Sequence, residues 1–219
     1  MLGLNIKEIL YRLIILLIAF SVHEFAHAFI ADRFGDNTPR QNGRLTLNPA
    51  AHIDPIGALV LLFAGFGWAK PVPINPYALR QRSKSAVMWV SLAGPLSNVL
   101  LALFGSVVFV VLWNVAGITL PTATGLSQTL LEFFQYFISI NIALAVFNMI
   151  PIFPLDGEKV LDYLLPPGGK DFLASIRPYS SYILLTVVFL LPMMGFSLFG
   201  VIFNPIINSW FSLIASVLA

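Results

Sequence analysis

The stretch IKEILYRLIILLIAFSVHEFAHAFIADRF, residues 6–34, decides how the rest of the chain is read. Residues 6–31 predict a helix of about 39 Å at 1.5 Å per residue, which is long enough to cross a bilayer. Near the end of this run, HEFAH at 23–27 places ionisable side chains among Ile, Leu, Phe and Ala. Ionisable groups are costly in hydrocarbon, and inside a membrane helix they usually mark a functional site. The stretch therefore predicts a spanning helix that carries a polar site.

The composition of the whole chain is typical of a membrane protein. Of the 219 residues, 58% are hydrophobic and 10% are charged, and the mean hydropathy is +0.87. A soluble domain carries about a quarter charged residues. We expect an all-α polytopic membrane protein with about five to six membrane helices or half-helices and a short re-entrant or β segment. The length favours a single membrane-embedded domain, 1–219.

Apolar runs and helix-breaking residues divide the remainder of the chain. Long helices are predicted at 86–113, bent at Pro95, and at 127–149. The apolar run 56–68 is too short to cross the bilayer and favours a re-entrant hairpin, whereas the prolines of 69–79 favour extended chain or an edge strand. The other expectations are a loop at 32–55 with a short strand at 44–48, a helix at 157–165, a core of about 6–165, and a closing helix pair in 179–218 that breaks at 191–197.

One face of the predicted helix 86–113 carries small residues. Ser91, Gly94, Asn98 and Gly105 share this face. Small residues allow neighbouring membrane helices to approach closely. We therefore expect another helix to pack tightly here.

The distribution of basic residues predicts the orientation. Most Lys and Arg residues lie in 32–85 and 150–178. If 56–68 turns back, these segments share one side, which the positive-inside rule makes cytoplasmic. Lys7 and Arg12 then lie toward the outer face and do not fit the rule.

The HEFAH segment has the spacing of a metal site. Helix positions i and i+4 lie on one face, so His23 and His27 can bind one metal ion. Glu24 can then reach a water molecule at that ion. The HExxH motif therefore provides two metal ligands and a general base. The alternative is that all three side chains are satisfied locally by the backbone. That alternative is costly for an unpaired Glu at membrane depth.

A catalytic zinc site needs a third protein ligand. NMIPIFPLDG, residues 148–157, follows the third spanning helix at the same predicted depth as His23. Asp156 is therefore the expected third ligand, brought in by backbone that Pro151 and Pro154 keep out of regular helix. Gly157 would let the chain turn away from the ligand. Taken alone, PLDG is equally typical of a capped turn that begins a helix.

HEFAH in a spanning helix together with FNMIPIFPLDG resembles the site-2 protease family of intramembrane zinc metalloproteases. NPAAHIDPIG and the GPLSN of 94–98 are similar to segments of its compact prokaryotic members. The resemblance implies a zinc metalloendopeptidase with one Zn²⁺ per chain, held by His23, His27 and Asp156, with Glu24 as catalytic base. Its substrates would be transmembrane-helix proteins in the bilayer of a prokaryotic cell. Many relatives also carry a PDZ domain or a CBS pair, for which this chain has no room.

Three further polar residues are candidates near this site. By the resemblance, Asn148 holds substrate or polarises its carbonyl, although it could instead close a helix C-terminus. His52 could reach the cavity as a substrate-binding group, or it could be satisfied by loop backbone. Asn98 could orient a ligating side chain, but a bond to the carbonyl freed by Pro95 is the favoured interpretation.

Two other functions remain as alternatives. A zinc-binding or zinc-transporting membrane protein would use the same ligands to pass metal along, and would need a chain of polar residues across the bilayer. A catalytically silent scaffold would grip helices without needing Glu24. The net charge of +2 does not favour a nucleic-acid partner, and the absence of cysteine requires nitrogen and oxygen ligands for any metal.

Overall fold

The structure is a computed structural model that describes residues 6–54, 56–57, 68–114 and 124–218. Within these ranges the chain is helical, with connecting loops and one isolated antiparallel bridge between Ile53 and Ala69. Most of the predicted re-entrant hairpin at 56–68 lies outside the described residues.

The helices are numbered here in chain order. They are α1 Ile6–Arg33, α2 Thr38–Gln41, α3 Pro76–Arg82, α4 Ala86–Asn114, α5 Gly125–Asn148, α6 Asp156–Leu164, α7 Pro167–Met193 and α8 Leu198–Leu218. A 3₁₀ turn at Pro49–Ala51 lies between α2 and α3. In α7 a 3₁₀ turn at Arg177–Tyr179 and a π-helical turn at Thr186–Leu190 interrupt the α-helical geometry. Among the described residues, five helices are long and apolar enough to cross a membrane: α1, α4, α5, α7 and most of α8. The expectation of an all-α polytopic membrane protein is confirmed.

Helices α1, α4 and α5 form the centre of the molecule. On α4, Ala102 and Phe109 pack with Leu131 and Ile138 of α5 in one buried cluster. The small-residue face of α4 makes this approach possible, because a Cβ added to Gly105 would lie 2.8 Å from the Phe137 ring. The close helix contact predicted for this face is therefore confirmed.

An ion pair joins the beginnings of α1 and α5. The Nζ of Lys7 lies 2.6 Å from Oε2 of Glu132. Because both helices start on the same side of the bundle, the lysine that did not fit the positive-inside rule has an acidic partner on that side. Pairing lowers the cost of placing Lys7 there.

Two local expectations in the loops are wrong. Residues 44–48 form no strand, since Arg44 turns inward and donates from Nη1 to the carbonyls of Ala51 and, at 3.2 Å, Lys70. The extended chain predicted for 69–79 ends at Asn75, whose side chain accepts from the backbone N–H groups of Tyr77 and Ala78 and begins α3. In both places hydrogen bonds from a side chain to the backbone, made by Arg44 and by Asn75, determine the local structure, and the weak strand pattern does not.

The closing helices follow the prediction in part. The chain breaks at 194–197, with Gly195 at φ +87, inside the predicted interval 191–197. The first closing helix, however, begins at Pro167 and not at 179, because residues 167–176 are already α-helical and Pro167 occupies the first turn, where its missing N–H is not needed. Helix α8 packs on the core cluster through Ile214, Trp210 and Phe211.

Candidate metal centre

Three side chains from two distant segments converge near the C-terminal end of α1. The Nε2 atoms of His23 and His27 are 3.0 Å apart, and each lies 3.2 Å from Oδ2 of Asp156. All three residues are buried. Their ligand atoms all lie within 4.8 Å of one another, so these three described residues could bind a single metal ion. The structure thus brings together the three residues that the sequence predicted as metal ligands.

The other ring nitrogens determine what faces this centre. Nδ1 of His27 lies 2.7 Å from the backbone carbonyl of Val90, and Nδ1 of His23 lies 2.7 Å from Oδ1 of Asn98. A carbonyl oxygen can only accept, so Nδ1 of His27 carries the hydrogen and its Nε2 presents a lone pair. The same assignment holds for His23 when Asn98 presents its oxygen.

The donor set fits a divalent metal ion. Two imidazole lone pairs and a carboxylate oxygen point at one another at about 3 Å, an arrangement that repels itself unless a cation lies between them. Two nitrogen donors and one carboxylate are a ligand set that zinc uses in catalytic sites, where a fourth position stays open.

Helix α4 passes directly over the two imidazoles. A Cβ built on Gly94 would lie 2.4 Å from Nε2 of His27 and 2.5 Å from Nε2 of His23. Any side chain at 94 would therefore occupy space beside the ligand atoms. The sequence marked Gly94 only as a small residue for helix packing, and its contact with the metal ligands was not predicted.

Asp156 is the first residue of α6, at the end of the non-helical segment 149–155. The expected irregular backbone is present, but the proposed turning role of Gly157 is wrong. Gly157 is helical, and an added Cβ would lie 2.3 Å from the Met149 carbonyl oxygen. Glycine is needed here for close approach of two backbone segments, which places the carboxylate under α1.

The environment of Asp156 keeps its carboxyl group ionised. Burial alone would raise its pKa, but in the metal-free protein a proton at Nε2 of His27 supplies a charge and a hydrogen bond that lower the pKa by more than burial raises it. The pKa of Asp156 therefore lies below its usual range. An ionised carboxylate is the form that binds a metal ion.

Glu24 lies beside His23 and His27 and contacts the non-helical segment 69–75. Its Oε2 accepts a hydrogen bond of 3.0 Å from the backbone N–H of Val72. The side chain is mostly buried but lines the same cavity as His23 and His27. This bond between base and loop was not predicted, because the sequence does not give the register of an extended chain against a helix.

A cavity of about 360 Å³ opens at this site. Its wall includes Glu24, Asp156, Val72, Asn148 and Ser91. Within the described part of the chain, the buried hydroxyl of Ser91 makes no hydrogen bond. The cavity can therefore admit a polar chain beside both the candidate base and the metal ligands.

The two weaker candidates lie in different places. Asn148 lines the cavity, and its Nδ2 also donates to the Leu144 carbonyl at 3.0 Å, so both interpretations of this residue describe part of its environment. His52 lies apart, in a small pocket with Leu13 and Trp68. Its Nε2 is 2.8 Å from the Thr46 carbonyl, which matches the interpretation of a loop histidine bonded to backbone, while its buried Nδ1 makes no hydrogen bond within the described part of the chain.

Asn98 does not bond the carbonyl freed by Pro95, so the favoured interpretation of this residue is wrong. Its amide contacts the candidate ligand His23 through Oδ1 and Asn141 of α5 through Nδ2. The other interpretation, orientation of a ligating side chain, matches these contacts. Asn141 itself was not predicted, because a lone Asn in an apolar helix gives no sign of which neighbour it meets.

Comparison with known proteins gives the family that this chain resembles. The family model described as Peptidase family M50 matches residues 11–191. "Putative zinc metalloprotease YwhC" of Bacillus subtilis is 39% identical over 201 residues, covering 91% of this chain and 86% of the relative. "Putative zinc metalloprotease Rip2" of Mycolicibacterium smegmatis is 31% identical over 201 residues, covering 89% and 67%. The protein of the same name from Mycobacterium tuberculosis is also 31% identical, covering 85% and 69%. No solved structure matches the chain significantly.

Proposed function

Because the chain belongs to Peptidase family M50, we propose that it is an intramembrane zinc protease that hydrolyses peptide bonds in or near the transmembrane segments of membrane proteins. Its membership and its relatives identify it as a zinc metalloprotease. The observation that carries the intramembrane proposal is the convergence of His23 and His27, in a helix able to span the bilayer, with Asp156.

The proposed roles follow from position. His23, His27 and Asp156 hold the zinc ion, which supplies Lewis acidity to a water molecule and to the scissile carbonyl. Glu24 takes the proton from the attacking water and passes it to the departing amine. Asn148, on the cavity wall, is placed to donate its amide to substrate.

The substrate class is argued from the bilayer. A spanning helix satisfies its amides internally, so a bond within it must be exposed by local unwinding before it can be cut. The extended segment 69–75 borders the cavity and contributes Val72 and Ile74 to its wall. Extended backbone of this kind is suited to lie beside an unwound strand.

We place the site toward the cytoplasmic face of a prokaryotic cell membrane. The proposal rests on the excess of Lys and Arg in 32–85 and 150–178, together with the paired state of Lys7, and on the bacterial origin of the relatives. The chain has no cysteine, so labelling of single cysteines introduced at Asn42 and Thr124 from each side of the membrane tests it. Asn42 should react from the cytoplasmic side and Thr124 from the outer side.

Zinc transport is the alternative function. Transport requires polar groups along a path across the bilayer. Residues 179–219 contain no charged residue and no histidine. This composition favours hydrolysis at a fixed site over passage of the ion.

The Glu24→Gln variant tests the proposal. It keeps the size of the side chain and removes the base, so zinc content should stay at the wild-type level while cleavage falls by at least about a hundredfold. Glu8→Gln, at the far end of the same helix, is the matched control and should cleave normally. Membrane-fragment proteomics of cells carrying Glu24→Gln should show uncut transmembrane proteins or signal-peptide remnants, which identifies the pathway. Undiminished cleavage by Glu24→Gln would overturn the mechanism.

A further inference from the structure

Two buried asparagines connect the metal ligand His23 to helix α5. Asn98 of α4 and Asn141 of α5 are both fully buried. Nδ1 of His23 lies 2.7 Å from Oδ1 of Asn98, and Nδ2 of Asn98 lies 3.1 Å from Oδ1 of Asn141. Nδ2 of Asn141 then donates to the backbone carbonyl of Phe137 at 2.8 Å. A continuous row of hydrogen bonds therefore crosses from α1 through α4 to α5.

The Phe137 carbonyl, at the end of this row, determines which atom donates and which accepts in every hydrogen bond of the row. The Phe137 carbonyl can only accept, so Asn141 must present its NH₂ group to that carbonyl and its oxygen to Asn98. Asn98 must in turn give its NH₂ group to Asn141 and keep its oxygen for His23. His23 then holds its hydrogen on Nδ1, and its Nε2 lone pair faces His27 and Asp156.

We propose that Asn98 and Asn141 are positioning residues that fix His23 in its metal-binding tautomer and ring orientation. Asn98 contacts His23 directly. Asn141 acts through Asn98, because its bond to Nδ2 prevents the side-chain amide of Asn98 from rotating by 180° and exchanging its oxygen and nitrogen. The inference rests on the proposed metal site and adds to it a polar row that anchors one ligand in a neighbouring helix.

A purely structural role is the competing explanation. Asparagines that hydrogen-bond across membrane helices stabilise helix packing without any link to a ligand. Such a role predicts a loss of stability and no change in affinity for metal. A partner that orients a ligating histidine typically contributes 10- to 100-fold in metal affinity. The two explanations therefore differ in zinc affinity, which can be measured apart from catalysis.

The chain offers a matched control for helix packing. The indole Nε1 of Trp210 on α8 donates to Oγ of Ser106 on α4 at 2.9 Å. Ser106 lies about three turns along α4 from Gly94, away from the metal ligands. Ser106→Ala removes a polar contact between helices and leaves the row that ends at His23 intact.

The experiment measures zinc affinity by chelator competition on the purified full-length chain in detergent, with thermal unfolding of the metal-free protein alongside. Asn98→Leu should weaken zinc binding by about 10- to 100-fold, and Asn141→Leu by a smaller factor, although Asn141 contacts no ligand. Asn141→Thr is the conservative variant: its hydroxyl can donate to the Phe137 carbonyl and accept from Asn98, so it should retain most of the affinity. Ser106→Ala should lower stability and leave zinc affinity unchanged.

Cobalt substitution gives a second measurement that does not depend on activity. The visible spectrum of the Co²⁺-loaded protein should change in Asn98→Leu and Asn141→Leu and should match wild type in Asn141→Thr and Ser106→Ala. The effects of Asn98→Leu and Asn141→Leu on zinc affinity should also be non-additive, because both act through one row.

The outcomes separate the two proposals. Wild-type zinc affinity and cobalt spectrum in both Leu variants, with stability alone reduced, would overturn this inference and leave the proposed function intact. Failure of the wild-type chain to bind zinc would instead overturn the proposed function. If Asn141→Leu does not fold, loss of affinity in a folded Asn98→Leu and its retention in Asn141→Thr support the inference, whereas equal affinity in both contradicts it.

Discussion

Gly94 has no side chain, yet it determines whether the two histidines have room for a metal ion. The space that a Cβ would need at this position is filled by the Nε2 atoms of His23 and His27. Helix α4 can therefore lie against the ligands and offer the Val90 carbonyl to His27 only because residue 94 is glycine.

The Gly94→Ala variant should fold but lose zinc. The added methyl group would displace the imidazoles from their meeting point, so zinc content should fall from about one ion per chain toward zero, and cleavage should fall with it. Atomic absorption on the purified variant measures the content. Gly168→Ala, where an added Cβ meets nothing within 4 Å, should keep its zinc. A fully loaded Gly94→Ala would contradict this account of α4.

Individual ligands were more predictable from sequence than the residues that support them. The i, i+4 spacing of His23 and His27 follows from helix geometry, and the PLDG segment supplied Asp156. Gly94 and Asn141 act across helix interfaces. Their roles depend on how each helix is rotated about its axis, and periodicity within one helix does not give that rotation.

At the scale of elements, the segment 69–75 matters most, because it brings a backbone donor to the base. It is extended, it ends where Asn75 caps α3, and its Val72 N–H donates to Glu24. Asn75 is itself anchored to Asp36, whose Oδ2 accepts from the Asn75 backbone N–H at 2.6 Å. Hydrogen bonds therefore fix the segment at Val72, near its middle, and at Asn75, its last residue.

Replacing Val72 with proline tests this contact, because proline has no backbone N–H. Val72→Pro should keep zinc and lower the rate of cleavage by roughly 10- to 100-fold, since a hydrogen bond to a charged group contributes about 1.5–3 kcal/mol. Val72→Ala shortens the side chain, keeps the N–H and serves as the control. The measurement is the cleavage rate of a transmembrane substrate in detergent. Equal rates for the two variants would mean that the bond has no part in positioning Glu24.

Long apolar elements were predictable, and the polar boundaries between them were not. The runs that became α1, α4 and α5 exceed the length of a bilayer crossing, so composition alone indicated them. The start of α7 was missed because its first turns are polar. The buried carboxylate of Glu158 in α6 pairs with Arg177, and this ion pair stabilises the charged residue within α7. Such pairing depends on tertiary contact and leaves no local pattern.

At the scale of the whole molecule, α1, α4, α5 and α6 meet at one depth, and each contributes to the site. α1 provides the two histidines and Glu24, the proposed base, and α4 covers the histidines with Gly94. α5 holds Asn98 through Asn141, and α6 presents Asp156. Helix α7 reaches the cavity through Arg177, whereas most of α7 and α8 is exposed. The class and family of the chain followed from two motifs, whereas this shared assembly required the structure.

Zinc K-edge X-ray absorption of the purified protein, with the metal content measured on the same sample, tests the convergence of HEFAH and Asp156 most directly. We expect one zinc ion per chain, with imidazole scattering, Zn–N distances of about 2.0–2.1 Å and no sulfur ligand. In Asp156→Ala, the content or the coordination number should fall. An absence of zinc from the wild-type protein, or the same coordination in Asp156→Ala as in wild type, would contradict the account.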